Sequence, residues 1–325
     1  MIKIEQRAST VLFKFIRSNC QDYVFLVPAN VCSVVPLTLL KLGVSFKFVD
    51  IDRTTHAGSL ELIKAELVKL GSRKKGLIYV NSYGNKRNLG YFYDAIKQQD
   101  SSLIIIEDNC LCVPETTRTY PYDNIDLELY STGDSKFVQL SLGGGYGLMK
   151  DCVAYSEHHE PFNPYGYRDQ VEQVKKCRKD NSRFTYRENG WLPFEPLGSA
   201  LSPEEYIDRV KSEVLESRTH KVKINHIYDG IIPAGLKLGD EYNNWRYNVI
   251  VPTVHMQKAI LDELSAEGLF ASAHYASAAF IFNGQQCANA EYEHDHMINL
   301  FNEYKYSEEM AVRTAMIIKR IWEQS

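Results

Sequence analysis

Residues 103–108 read Leu-Ile-Ile-Ile-Glu-Asp, an apolar run that stops abruptly on two carboxylates. A run with no polar alternation describes a strand buried on both faces, as in a parallel sheet. Similar short runs recur on either side of it. Tyr23–Val27 ends at Pro28, and Ser45–Val49 ends at Asp50. Gly76–Val80, Leu127–Tyr130 and Tyr146–Met149 have the same strand-like character. Between them lie stretches suited to helices. Val31–Leu42 is apolar on most sides, Ser59–Leu70 carries Leu60, Leu62, Ile63, Leu67 and Leu70 near a helical period, and Tyr91–Gln99 is long enough for a short helix. Strands alternating with helices predict an α/β fold with a mostly parallel sheet and helices on both faces. Ligands of such sheets sit at the C-terminal strand ends, which singles out Asn30, Asp50, Asn81, Asp108 and Ser131.

The rest of the chain divides by character. Residues 151–200 are rich in Tyr, Arg, Asn, Pro and Glu with weak periodicity, and read as a loop-rich insertion or linker. Ser202-Pro-Glu-Glu is a helix-start signal for a helix running to about Tyr228. A strand (Tyr247–Val251), a helix (Gln257–Glu267), a strand (Leu269–His274) and a last helix (Ser307–Trp322) complete a small α+β unit. The expected organisation is a large α/β domain over residues 1–200 and a small C-terminal domain over 201–325. A length of 325 residues suits that division.

Composition narrows the function classes. A net charge of −4 gives no general attraction to nucleic acid or an anionic membrane. Charges interrupt the first ten residues where a signal peptide needs an apolar core, and the longest apolar runs are too short to span a bilayer. Seven cysteines, an odd number with no Cys-x-x-Cys pair, fit a reduced cytoplasmic protein better than a disulfide framework.

Candidate chemistry starts at Asp108. A carboxylate ending a buried strand needs a partner; it is either a cap or turn residue, or it faces a ligand. Lys136, in Ser131-Thr132-Gly133-Asp134-Ser135-Lys136, follows a strand and precedes Gly143-Gly144-Gly145. It is either a solvated surface charge or, in a protected cleft, an amine able to form a Schiff base. Ser131 is a turn residue or a phosphate donor. Ser9 is a plausible N-cap for a helix starting near Thr10, where free N–H groups would suit an anion. The glycine run lacks nucleotide-loop spacing and reads as a close backbone approach. Glu291, Glu293, His294, Asp295 and His296 lie in one polar stretch without a distant ligand, so no metal site is expected.

Together these pieces resemble the DegT/StrS family of PLP-dependent nucleotide-sugar aminotransferases. The run from Val24 to Asp52 is similar to the family's strand, Pro-Ala turn, helix and terminal Val-Asp-Ile-Asp. Ile78–Gly84 resembles its Val-His-x-Tyr-Gly segment, Ile106-Glu107-Asp108 its Ile-Glu-Asp, and Ser131 and Lys136 its Ser-x-x-x-x-Lys. His274-Tyr275 resembles the family's His-Tyr at the substrate mouth. The resemblance covers the first 150 residues well and the last 80 loosely.

It implies fold type I of the PLP-dependent transferases and a homodimer. Lys136 would carry pyridoxal 5'-phosphate (PLP) and shuttle protons. Asp108 would pair with the ring nitrogen, and Ser131, Ser9 and Thr10 would hold the phosphate. Glutamate would be the amino donor and a nucleotide-linked keto sugar the acceptor, for surface polysaccharide or amino-sugar biosynthesis. Tyr83, His274 and Tyr275 would shape the substrate pocket. Family members acting as sugar dehydratases carry histidine at the lysine position, so Lys136 favours amino transfer.

Some positions depart from the family pattern. Cys32 stands where an aromatic often stacks on the cofactor ring, and Leu111 where Gln or His usually follows the aspartate. The Gly-x-Asn-x-Arg segment that reaches the phosphate from a partner subunit has no match; the bare triplets Asn181–Arg183 and Asn244–Arg246 lack the glycine. The alternatives are a catalytically silent PLP-fold partner or regulator, and a PLP enzyme acting on a substrate other than a sugar.

Overall fold

A computed structural model describes residues 1–118, 124–151, 153–195, 197 and 201–324. The chain opens with strand β1 (Ile2–Glu5), helix α1 (Ala8–Asn19), β2 (Val24–Pro28), α2 (Val34–Leu42) and β3 (Ser45–Val49). A two-residue hairpin pair, β4 (Ile51–Asp52) and β5 (Ala57–Gly58), leads to α3 (Leu60–Lys69), β6 (Lys75–Val80), α4 (Gly90–Gln99) and β7 (Ile104–Asp108). Strands β8 (Leu127–Ser131) and β9 (Gly145–Met149) follow, then α5 (Gly166–Lys179) and the 29-residue α6 (Pro203–Ile231). The C-terminal third contains β10 (Tyr247–Ile250), α7 (Val254–Ala266), β11 (Ala271–Ala273), α8 (Ala279–Asn283), α9 (Ala288–His296), β12 (Met297–Leu300) and α10 (Glu308–Glu323).

The large sheet has the order β1-β9-β8-β7-β6-β2-β3. Neighbours from β8 to β3 are parallel, whereas β9 runs antiparallel to both β8 and β1. The two-residue period of a strand sorts its side chains. Phe25, Val27, Ile78, Val80, Ile106, Leu127 and Leu129 join a core with α1 and α2. Leu26, Leu77, Tyr79 and Ile105 join the core with α3 and α4 on the opposite face. Both faces are therefore covered, as the apolar runs predict. The same parity decides the strand ends: Asp108 and Ser131 fall on the α1/α2 face, while Glu107 and Glu128 fall on the other.

The second sheet, β10-β12-β11, is antiparallel and packs with α7, α10 and the C-terminal half of α6. Helix α6 spans both units. Tyr206 and Val210 pack on Tyr130, Tyr146 and Leu148 of the large sheet, and Ile224 and Tyr228 sit in the second core. It starts where the sequence predicts, with a capping box in which Ser202 Oγ accepts from Glu205 N–H and Glu205 accepts from Ser202 N–H. Such a cap contributes about 1 kcal/mol.

Of the two readings, the structure favours a loop-rich insertion over a linker for residues 151–200. Helix α5 lies within them, and Phe184, Trp191, Leu192 and Phe194 are buried in the main core. Lys41 on α2 pairs with Glu160 and Glu188, tying the segment to the large sheet's outer layer. Its many polar residues conceal a few deeply buried aromatics. Strands β1 and β12 and helices α8 and α9 were also not anticipated. Some residues of this stretch, 152, 196 and 198–200, lie outside the described set.

Candidate active site

A cavity of about 900 Å³ opens at the C-terminal edge of the large sheet and is closed on its far side by α6 and the segment after β12. Asp108, at the end of β7, and Ser131, at the end of β8, both line it, together with the turn that carries Lys136. Asp108 is 8% exposed. No helix begins there. Instead, Asp108 Oδ1 accepts from Cys110 N–H at 3.0 Å in a tight turn. Burial, and secondarily the Asp108 charge, pushes the Cys110 thiol well up, so it stays protonated; the charge of nearby Lys136 opposes that rise.

Lys136 is half-buried, and its amine makes no hydrogen bond or ion pair with a described residue. Its turn is braced from the other sheet: Trp245 Nε1 donates to Ser135 O at 2.6 Å, and Ser135 holds a left-handed φ of 60°. For a non-glycine residue that conformation costs on the order of 1 kcal/mol, and the indole contact offsets it. Ser131 Oγ has only long contacts, to Gly144 O and Gly133 N at 3.5 Å each, which leaves the hydroxyl free to turn toward a ligand.

The start of α1 forms the next wall. Ser131 and Glu5 both pair in register with Gly145, so the ladder Glu5–Gly145–Ser131 brings residues 7–9 alongside the end of β8. The approach is close: a Cβ on Gly145 would meet Ala8 N at 2.2 Å. The glycine run thus has a structural reason, as its composition predicts.

Ser9 lines the cavity, but as the second residue of the helix rather than its cap. The N-cap is Arg7, with extended backbone and no side-chain cap bond. Thr10 N–H and Val11 N–H both go to Arg7 O, so the N–H groups of Ala8 and Ser9 precede the intrahelical ladder. Thr10 itself does not reach the cavity. It is fully buried, with its hydroxyl donating to Pro193 O at 2.7 Å, which corrects the phosphate role expected for it.

Cys32 lines the cavity, as does Tyr275. Tyr83 and His274 do not. Tyr83 is wholly buried and donates to Glu293 Oε1 at 2.8 Å, inside a network in which Glu293 also takes His56 and Asn30. His274 packs on Tyr83 at 4.2 Å, and burial pushes its pKa down to about 4, so the ring is neutral. Both lie behind Tyr275 and support the wall instead of touching a ligand. Leu111 is likewise packed inside the protein; Cys110 is the side chain there that reaches the cavity. Neither Arg183, which donates to Phe282 O, nor Arg246, paired with Glu303 and stacked on Phe301, lines the cavity. Among the described residues no group of three His, Cys, Asp or Glu is placed to hold a metal, and no helix is long and apolar enough to cross a membrane.

Three further residues line the cavity. Arg7 lies over the ring of Tyr167 at 5.0 Å, and Tyr167, from α5, adjoins Cys32. Lys221, from α6, is almost fully buried and donates to Trp245 O and Asn302 Oδ1, both at 2.8 Å.

Two buried groups make stability depend on pH. Glu107, on the face away from the cavity and beside Glu128 in the ladder, has its pKa pushed up to about 7 by burial, against the hydrogen bond from Tyr93. It holds a proton in the folded state that the unfolded chain releases from about pH 4.5, so stability falls as pH rises from 4.5 to 7. The effect is on the order of 2–3 kcal/mol. Burial, helped by Arg246 and opposed by Glu303, lowers Lys221 to about 7 from 10.5, so its contribution rises again as pH increases across that interval. Denaturant titrations from pH 4.5 to 9 should show the acid-side slope disappear in Glu107→Gln. An unchanged slope in that variant would remove Glu107 as its source.

No protein-family model matches the sequence, and no curated protein matches it significantly. Solved structures match over nearly the whole chain. Spr1654 from Streptococcus pneumoniae, in its PMP form, aligns over 99% of this chain and 88% of its own, with a TM-score of 0.71 and 16% identity. A DegT DnrJ EryC1 StrS aminotransferase from Brucella abortus aligns over 98% and 85%, with a TM-score of 0.65 and 15% identity. DesI, solved in the presence of its TDP-sugar product, aligns over 98% and 80%, with a TM-score of 0.70 and 13% identity. The fold is therefore that of the PLP-dependent fold type I aminotransferases, the class to which the sequence motifs point.

Proposed function

We propose that this protein is a PLP-dependent aminotransferase that moves the amino group of glutamate to a nucleotide-linked keto sugar. The observation that carries the reading is the pairing of Lys136, an amine without an internal partner, with Asp108 in one cavity at the sheet's C-terminal edge. The donor set fits PLP. It offers a free amine for the aldehyde, a buried carboxylate for the ring nitrogen, and two loosely engaged hydroxyls, Ser131 and Ser9, beside open helix N–H groups for the phosphate.

When bound, PLP supplies an aldehyde and an electron-withdrawing ring. The chain's residues do the rest. Lys136 would hold the aldehyde carbon and would carry protons between substrate carbon and cofactor. Asp108 would face the ring nitrogen and hold its proton. Cys110, held protonated, adds no competing negative charge beside it. Tyr167 and Tyr275, both lining the cavity near Cys32, supply the aromatic surface that Cys32 lacks.

The sugar part of the proposal is supported by the DegT/StrS-like motifs, by the TDP-sugar product of DesI, and by the exposed Lys305 on the cavity wall. A large domain to residue 200, a small one beyond it, a homodimer and a cytoplasmic location belong to the same reading. The test is incubation of PLP-loaded protein with glutamate and a panel of nucleotide-linked keto hexoses. An aminated sugar and matching 2-oxoglutarate are expected. Glutamate turnover with no acceptor in the panel would favour a non-sugar substrate, and no turnover at all a silent partner protein.

A further inference from the structure

We infer that Arg7 is a phosphate-binding residue of the cofactor site, supplied by the same chain whose lysine carries the cofactor. The inference rests on the PLP reading above and adds a residue which that reading lacks. Its starting point is an uncompensated charge. Arg7 is half-buried in the cavity wall, and no described carboxylate lies within ion-pair reach of it. Its protein contact is the face of Tyr167, which attracts a cation only weakly compared with an anion. Burial lowers its pKa, the mark of a guanidinium that has lost water without gaining a full counter-charge. Among the described residues several other buried cations have carboxylate partners, Lys14 with Glu5, Lys41 with Glu160 and Glu188, and Arg246 with Glu303, and Lys221, which has none, spends its amine on Trp245 O and Asn302 Oδ1. A cation left open in a ligand cavity is what an anionic ligand completes.

The backbone places that cation at the phosphate end. Arg7 is the N-cap of α1, two residues beyond Glu5, and the Glu5–Gly145–Ser131 ladder sets it at the same edge of the sheet as Ser131, one strand removed, where both line the cavity. Ser9 and the open N–H groups of Ala8 and Ser9 face the same space. Asp108, the ring-nitrogen partner, stands at the end of the next strand, β7. The edge strand β1 thereby acquires a role, as the strut that holds Arg7 in position. Tyr167 keeps the guanidinium plane oriented from α5. The arginines of the two Asn-x-Arg triplets do not line the cavity, and among the described residues Arg7 is the arginine that does.

The test compares PLP with pyridoxal, which has the same aldehyde and ring but no phosphate. Dissociation constants for both are read from the absorbance of the lysine-bound form in wild type, Arg7→Gln and Arg7→Lys. Loss of a charge-assisted contact should raise the PLP constant of Arg7→Gln at least about tenfold and leave that for pyridoxal nearly unchanged, with Arg7→Lys in between. Equal weakening of both ligands, or of neither, would overturn the assignment of Arg7 while leaving the PLP reading intact. Wild-type protein that takes up neither ligand would overturn the parent reading as well. A second measurement does not depend on the variants folding: PLP, and not pyridoxal, should protect Arg7 of wild-type protein from phenylglyoxal. Modification of Arg7 at the same rate with either ligand would count against the proposal.

Discussion

Lys136→Ala protein should fold, bind PLP only non-covalently, and lose amino transfer by at least about a thousandfold, because one side chain supplies both the covalent anchor and the proton carrier. Borohydride reduction followed by peptide mapping should find the cofactor on Lys136 in wild type and nowhere in the variant. The site contains a built-in competitor. Lys221 lines the same cavity, and burial pushes its pKa down to about 7, so part of it is the neutral amine at neutral pH. Geometry decides against it: its amine is committed to Trp245 O and Asn302 Oδ1 on the far wall, whereas Lys136 makes no such bonds and sits with Cys110 and Asp108. An adduct mapped to Lys221 in the wild-type protein would reverse that judgement.

The second large effect is expected at Asp108. Asp108→Asn keeps the shape of the turn and the acceptor for Cys110 N–H, so the fold should survive. An amide cannot balance a protonated ring nitrogen, and the ring's capacity to accept electrons depends on that proton. Amino transfer should fall by roughly two to four orders of magnitude, the size of a lost preorganised electrostatic contact at a reacting centre. PLP should still attach to Lys136 in this variant, which separates the effect from loss of cofactor. Full turnover in Asp108→Asn would take the carboxylate out of the mechanism.

The parts of this site legible in the sequence are those fixed by strand period. Asp108 and Ser131 end apolar runs, so their position at the sheet edge follows from where the runs stop, and Lys136 follows from the turn after Ser131. The parts that were not legible depend on tertiary placement. Arg7 reads as an ordinary charge until the pairing of β1 with β9 puts it at the sheet edge that lines the cavity. Tyr167 sits on α5, whose stripe of Tyr167, Val171, Val174 and Cys177 is set in an otherwise strongly polar helix and packs only partly buried against the main core. Tyr83 and His274 matched motifs yet lie one layer behind the cavity, because Glu293 from α9 draws Tyr83 inward and His274 stacks on it. Thr10 shows the limit of a helix-start reading: a shift of the first helical residue to Ala8 turns its hydroxyl toward Pro193.

The most direct measurement is an absorbance titration of purified protein with PLP, followed by glutamate. The site described here predicts a band at the edge of the visible that saturates with PLP and is lost from Lys136→Ala, and that moves to shorter wavelength when glutamate donates its amino group. Absence of that band at every PLP concentration would contradict the claim that Lys136 and Asp108 form a cofactor site.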